Sequence, residues 1–263
     1  MSEPLLELTG IRAGFNAQTV IHGVDLAVPR GSVTGLFGLN GAGKSVLLKV
    51  VAGLVPAWAG QIVFAGHDIT RSGPEQRVAL GMGHVPQGRQ VFGSLTVEQN
   101  LRIGGYPMRG RKAELAGRVA AAYETFPLLA AKRDAAAGTL SGGQQASLAV
   151  ARALVANPQL VLIDEPSAGL APAIVEELLE ALLLVQETGV TMLLVEQNIR
   201  FGLRLADTAC LLQRGRIVYR GGVADLDETT LATHLGVGRL LRGDLSSGLS
   251  RRKPARRPAV RPG

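Results

Sequence analysis

Gly38-Leu-Asn-Gly-Ala-Gly-Lys-Ser45 fits the pattern G-x-x-x-x-G-K-S, and its neighbours on either side decide how it folds. Val33-Thr-Gly-Leu-Phe37 before it reads as a short apolar strand, and Ser45-Val-Leu-Leu-Lys-Val-Val-Ala52 after it reads as a helix stopped by Gly53. Strand, glycine-rich turn and helix in that order form a phosphate cradle. Glycines let successive backbone N–H groups turn inward, and the helix N-terminus adds the positive end of its dipole. Gly38, Asn40, Gly41, Ala42 and Gly43 are the candidate cradle, Lys44 the candidate contact to the β- and γ-phosphates, and the Ser45 hydroxyl a candidate magnesium ligand.

Further along, Leu160-Val-Leu-Ile163 and Thr191-Met-Leu-Leu-Val195 are continuous apolar runs, the pattern of parallel strands buried on both faces. Between them Pro172 to Thr188 carries Ile174, Leu178 and Leu182 at i, i+4 spacing, with Pro at its start and Gly189 just past its end, which predicts a helix. The first run delivers Asp164-Glu165 at its C-terminal end, where open α/β sheets bind ligands. Asp164 suits magnesium; Glu165 suits a general base that orients and deprotonates water. A lone Asp-Glu is ordinarily a solvated turn. Beside a phosphate loop it reads as the second half of a site.

Residues 88 to 157 have an Ala-rich texture, with helix candidates at Arg111–Phe126 and Gly142–Ala156, the latter ended by Asn157-Pro158. They read as a helical subdomain inserted into the α/β core. From Arg242 onward apolar periodicity gives way to Gly, Ser, Pro and Arg, so residues 1–241 form the domain and 242–263 a solvated basic tail.

With 46% hydrophobic and 19% charged residues, the 263-residue chain has ample material for a core, which excludes wholesale disorder. Its net charge of +7 is local: residues 251–263 hold six basic and no acidic residues, leaving 22 basic against 21 acidic in the rest. The tail carries no aromatic residue, so stacking on nucleic-acid bases has no support there. It reads as a solvated extension or as a weak attachment to anionic lipid headgroups, at about 1 kcal/mol per basic residue. A single cysteine, Cys210, cannot form an internal disulfide and fits a reducing compartment. The N-terminus lacks the basic and apolar regions of a secretory signal, and runs such as Ala181–Val185 are too short to span a membrane. The histidines, His22, His67, His84 and His234, are scattered, so no metal beyond nucleotide-bound magnesium is expected.

A third motif, Leu140-Ser-Gly-Gly-Gln144, lies 23 residues before Asp164. Alone it is a helix capped by Ser141 with a glycine turn. In this order the three motifs resemble the ATP-binding cassette (ABC) family over about residues 5–237. The resemblance implies a P-loop ATPase of the α/β class, with a RecA-like parallel-sheet core, an N-terminal antiparallel β part and an inserted helical subdomain. It further implies that Ser141 and Gly143, with Gly142 and Gln144 beside them, contact the γ-phosphate of ATP held by a partner cassette, two subunits pairing head to tail. Phe15 falls where the family stacks an aromatic ring on adenine; a core Phe near a strand end is the other reading. Gln87 in His84-Val-Pro-Gln-Gly-Arg89 resembles the Q-loop glutamine that contacts magnesium and the attacking water, although a Gln in a Pro-Gly turn is also an ordinary surface residue. Ser167-Ala-Gly-Leu-Ala-Pro172 resembles the D-loop.

Two positions depart from the family. Gln197 stands where a switch histidine is expected, and it can hydrogen-bond a γ-phosphate oxygen but cannot carry a proton charge. Ala171 replaces the usual D-loop aspartate. Pro86–Phe92, Thr96–Leu101, Ser167–Pro172 and Leu194–Asn198 together resemble the second ATP-binding subunit of branched-chain (hydrophobic) amino acid importers, and urea importers share much of the pattern. The resemblance implies a peripheral subunit on the cytoplasmic side of the cell membrane, using ATP and Mg2+. It would work as a homo- or heterodimer with a second ATPase, on integral membrane permeases fed by a substrate-binding protein, with no specific nucleic-acid partner. Two other readings remain. The DNA-repair and chromosome ATPases of the superfamily carry a long coiled coil between phosphate loop and signature, here only 97 positions apart, and translation types usually carry two cassettes. A regulatory module without turnover is opposed by Glu165 and left open by Gln197.

Overall fold

A computed structural model describes residues 3–88, 90–108 and 110–235; the tail predicted from 242 onward lies outside them. The described residues fall into two units, divided between Val223 and Ala224. In chain order the first contains β1 (Pro4–Phe15), β2 (Gln18–Pro29), β3 (Val33–Phe37), α1 (Lys44–Val51), β4 (Ala59–Phe64), β5 (His67–Asp68), α2 (Pro74–Ala79) and β6 (Met82–Val85). There follow α3 (Val97–Gly104), α4 (Lys112–Thr125), α5 (Pro127–Ala130), α6 (Gly142–Val155), β7 (Leu160–Asp164), α7 (Pro172–Glu187), β8 (Thr191–Glu196), α8 (Ile199–Leu205), β9 (Thr208–Gln213) and β10 (Arg216–Gly222). The described part of the second unit holds α9 (Glu228–Leu235), opened by Asp227, whose Oδ1 accepts the Thr230 N–H at 2.7 Å.

One sheet runs β10-β9-β3-β8-β7-β6, parallel except for the β9–β10 hairpin; the other is antiparallel, β2-β1-β4-β5. Every residue of β3, β7 and β8 is buried, as continuous apolar runs covered on both faces require. β1 and β2 instead mix buried and exposed positions, with bulges that break their register. Between the sheets lies α1, against β1 and β2 on one side and β7 and β8 on the other. Its Leu47, Leu48, Val50 and Val51 join Leu8, Ile21, Leu36, Leu162 and Val195 in one core. Below it, the buried Arg77 of α2 donates to the Val50 and Val51 carbonyls at 2.8 and 2.7 Å, capping the helix C-terminus.

The segment between β6 and β7 carries α3 to α6, packed on one another. α3 and α6 each begin on a reciprocal cap, Thr96 with Gln99 and Ser141 with Gln144. The anticipated helices form, with ends displaced by a residue for identifiable reasons. Lys44 already belongs to α1 because Gly43, at φ 105°, takes the left-handed turn in front of it. α4 stops at Thr125 because Pro127 excludes helical backbone at Phe126, which sits at φ −124°, ψ 73°. Among the described residues no helix is long and apolar enough to cross a membrane.

Candidate active site

The phosphate loop spans the gap between β3 and α1 at the C-terminal end of the parallel strands, and it is braced from behind. Gly215, in the β9–β10 turn at φ 71°, donates its N–H to the Ala42 carbonyl at 2.9 Å and accepts the His22 N–H at 2.9 Å. A Cβ at Gly215 would collide with the Val20 carbonyl, and one at Gly38 with the Leu212 carbonyl. The brace therefore depends on bare backbone in both loops. Asn40 and Gly41 stand exposed at the crest, whereas Ala42, Gly43 and Lys44 are buried.

Lys44 is 4% exposed, and its ammonium donates to the Gly38 carbonyl at 2.9 Å and the Leu39 carbonyl at 3.4 Å. It also lies 3.2 Å from Glu165 Oε1. The other oxygen, Glu165 Oε2, accepts the Gln87 side-chain N–H at 2.9 Å. Next to this chain, the Ser45 hydroxyl donates to Asp164 Oδ1 at 2.9 Å. Burial pushes the Asp164 carboxyl above its ordinary range, against the Ser45 hydrogen bond that pulls it down. Lys44, Ser45, Gln87, Asp164 and Glu165 thus meet from three parts of the chain.

Glu165 has left-handed backbone, φ 45°, which a non-glycine residue adopts only when its surroundings impose it. Its N–H donates to the Val195 carbonyl at 2.9 Å, tying the turn after β7 to β8. Reading the sequence alone missed the next tie. Glu196 ends β8 and is 1% exposed; its Oε1 accepts the Ser167 N–H at 3.0 Å, and its Oε2 accepts the N–H groups of Gln197 and Asn198 at 2.8 and 2.9 Å. Burial raises its carboxyl too, opposed by those hydrogen bonds. Gln197 itself is exposed at the turn into α8.

Other anticipated residues stand apart from this cluster. Phe15 is 46% exposed at the end of β1, opposite Gln18 in the hairpin. Ser141 caps α6, its Oγ accepting the Gln144 N–H at 3.3 Å while its N–H donates to Gln144 Oε1 at 3.1 Å; Lys132 also reaches that oxygen, at 3.3 Å. Gly142 and Gly143 start the helix, and a Cβ at Gly143 would overlap Ile174 Cγ2 of α7. Among the described residues none of Phe15, Ser141, Gly142, Gly143 or Gln144 hydrogen-bonds the cluster. Ala171 gives α7 no side-chain cap.

Chemically, a hydroxyl, a buried carboxylate and a nearby amide are hard donors of the kind Mg2+ takes alongside substrate phosphates and water. The described residues contain no group of three His, Cys, Asp or Glu side chains placed to hold a metal unaided, so the donor set fits a cation that arrives with phosphates. A buried ammonium on the loop offers positive charge where phosphate oxygens would sit, and the Glu165 carboxylate lies against that ammonium.

Comparison with known proteins identifies the family. The ABC transporter family profile matches residues 21–168. The chain is 39% identical over 225 residues to the probable branched-chain amino acid transport ATP-binding protein LivF of Archaeoglobus fulgidus, covering 85% of this chain and 94% of that protein. It is 41% identical over 214 residues to the high-affinity branched-chain amino acid transport ATP-binding protein BraG of Pseudomonas aeruginosa, covering 81% and 91%. The solved structure of CbiO1 from Clostridium perfringens, part of an ABC transporter complex, superposes with a TM-score of 0.78 at 25% identity, covering 92% of this chain and all of that one. A phosphate loop with its acidic partners at the end of a parallel sheet, and relatives matched over nearly their full length, lead to one conclusion: the chain belongs to the ABC transporter family as one of its ATP-hydrolysing, ATP-binding subunits.

Proposed function

We propose that the chain hydrolyses ATP to drive import of branched-chain or other hydrophobic amino acids, as one of two ATPase subunits beneath a pair of integral membrane permeases on the cytoplasmic side. The carrying observation is the bond sequence Lys44–Glu165–Gln87 beside Ser45–Asp164, which gathers a phosphate ligand, a base and hard oxygen donors in one place. The substrate class rests on the names of the LivF and BraG relatives.

In this reading the N–H groups of Gly38 to Gly43 cradle the phosphates, Lys44 holds the β- and γ-phosphate oxygens, and Phe15 stacks on adenine. Ser45, Asp164 and Gln87 hold Mg2+, which when bound offsets the charge on the phosphates. Glu165 orients a water in line with the γ-phosphorus and takes its proton, while Gln87 fixes that carboxylate and Gln197 hydrogen-bonds a γ-phosphate oxygen. Ser141, Gly142, Gly143 and Gln144 present the capped start of α6 to the nucleotide of the partner cassette, so binding closes the pair and hydrolysis opens it. An external binding protein delivers the amino acid.

Recovery of the tagged chain from detergent-solubilised membranes with its permeases, followed by reconstitution into vesicles, tests the proposal. Leucine uptake that needs internal ATP is expected. Stimulation by urea instead of leucine, or recovery with ribosomes or DNA and no permease, would refute it.

A further inference from the structure

We propose that Glu196 is a positioning residue for ATP hydrolysis, its one buried carboxylate holding both the turn that carries Glu165 and the backbone of Gln197. A carboxylate that is 1% exposed needs partners to stay there, and among its partners no side chain carries a charge. They are mainly backbone N–H groups of two separate turns. Oε1 takes Ser167, two residues beyond Glu165, with the Ser167 hydroxyl adding a second bond; Oε2 takes Gln197 and Asn198. Asn198 then caps α8 by accepting the Phe201 N–H at 3.2 Å.

The turn held by Oε1 is the one that needs holding. Glu165 sits at φ 45°, a strained conformation that relaxes unless neighbouring bonds over-determine it; its N–H is bound to the Val195 carbonyl at 2.9 Å, its carbonyl accepts the Ala168 N–H at 3.2 Å, and the hold of Glu196 on Ser167 fixes the far side of the same turn. Glu196 therefore fixes the base and the γ-phosphate-facing position relative to each other. A displacement of one turn is transmitted to the other through a single rigid group. Gln at this position would keep the shape but set an N–H against backbone N–H groups, losing one of the two holds.

This inference rests on the roles given to Glu165 and Gln197 above, and the test separates the two. Steady-state ATPase kinetics of the full-length chain with Mg2+ and ATP would compare the parent with Glu196→Gln, Gln197→Ala, the double variant and Glu165→Gln, each normalised to folded protein by circular dichroism. Glu196→Gln is expected to lower kcat at least about fivefold with KM for ATP within about threefold, since the hold acts on geometry rather than on nucleotide affinity. In the Gln197→Ala background the same change should cost clearly less, because the side chain that one of the two holds positions is gone. A smaller loss of kcat per folded molecule, or equal cost in both backgrounds, would overturn the proposal. If Glu165→Gln turns over like the parent, the assignment of the base has failed and this inference falls with it.

Discussion

Ser45 and Asp164 are 119 positions apart in the chain and share a hydrogen bond of 2.9 Å, the Ser45 hydroxyl donating to Oδ1. One comes from the first turn of α1 and the other from the last residue of β7. The bond holds a hydroxyl and a carboxylate at the spacing a hard cation uses, and it does so at the expense of burying the carboxylate.

Replacing Asp164 by Asn should therefore stabilise the protein while destroying Mg2+-dependent turnover. Burial raises the Asp164 carboxyl above the 3.8 of an ordinary aspartate, so the folded chain holds that proton more tightly than the unfolded chain. The stability linked to this group is complete below 3.8 and is lost as pH rises through the raised folded value. At neutral pH Asp164→Asn is expected to melt higher than the parent, at about 2–4 °C per kcal/mol for a chain of this size. The gap should narrow as pH is lowered; a lower melting point at neutral pH would contradict it.

On the proposed assignment of the base, Glu165→Gln lowers kcat by roughly 10²–10⁴ while nucleotide still binds. Lys44→Ala differs in kind, because it removes the ammonium meant for the phosphates, and nucleotide affinity should fall with it. Isothermal titration with a non-hydrolysable ATP analogue beside a turnover assay distinguishes the two. Equal affinity in both variants would place Lys44 outside the binding role.

Gly143→Ala should destabilise the packing of α6 on α7, because the new Cβ overlaps Ile174 Cγ2. Overpacking of this kind costs about 1–3 kcal/mol. Adding Ile174→Ala ought to recover most of the loss in thermal melts, since it clears the space. No recovery would mean that the strain lies elsewhere.

Gly215→Ala attacks the brace behind the phosphate loop, where φ is 71° and a Cβ collides with the Val20 carbonyl. Distorting that turn loosens the Gly215 N–H to Ala42 carbonyl bond, so the KM for ATP should rise by several-fold, on the order of 1 kcal/mol. Unchanged kinetics in a folded variant would show that the loop holds its own shape.

The strand–turn–helix around Lys44 was legible because burial on both faces leaves an unmistakable apolar run and the left-handed turn at Gly43 demands glycine. The carboxylates were legible for the same reason: Asp164 and Glu165 interrupt such a run. Gln87 was visible only through family resemblance, since nothing local distinguishes it from a turn residue; its meaning is the bond to Glu165, 78 positions away. Glu196 and Gly215 escaped because their partners are backbone groups of distant segments, Ser167 for one and Ala42 and His22 for the other. Backbone groups carry no residue-type signal, so a side chain or a glycine chosen to meet them leaves no pattern to read.

The burial of α1 between two sheets has a thermodynamic consequence. Leu47, Leu48, Val50 and Val51 lie in the main core, so the helix whose N-terminus forms the phosphate cradle cannot loosen without opening that core. Release of the cradle and global unfolding then become nearly the same event. A nucleotide that binds only the intact cradle stabilises the whole unit by RT ln(1 + [L]/Kd), and the melting temperature becomes a calorimetric titration of its affinity.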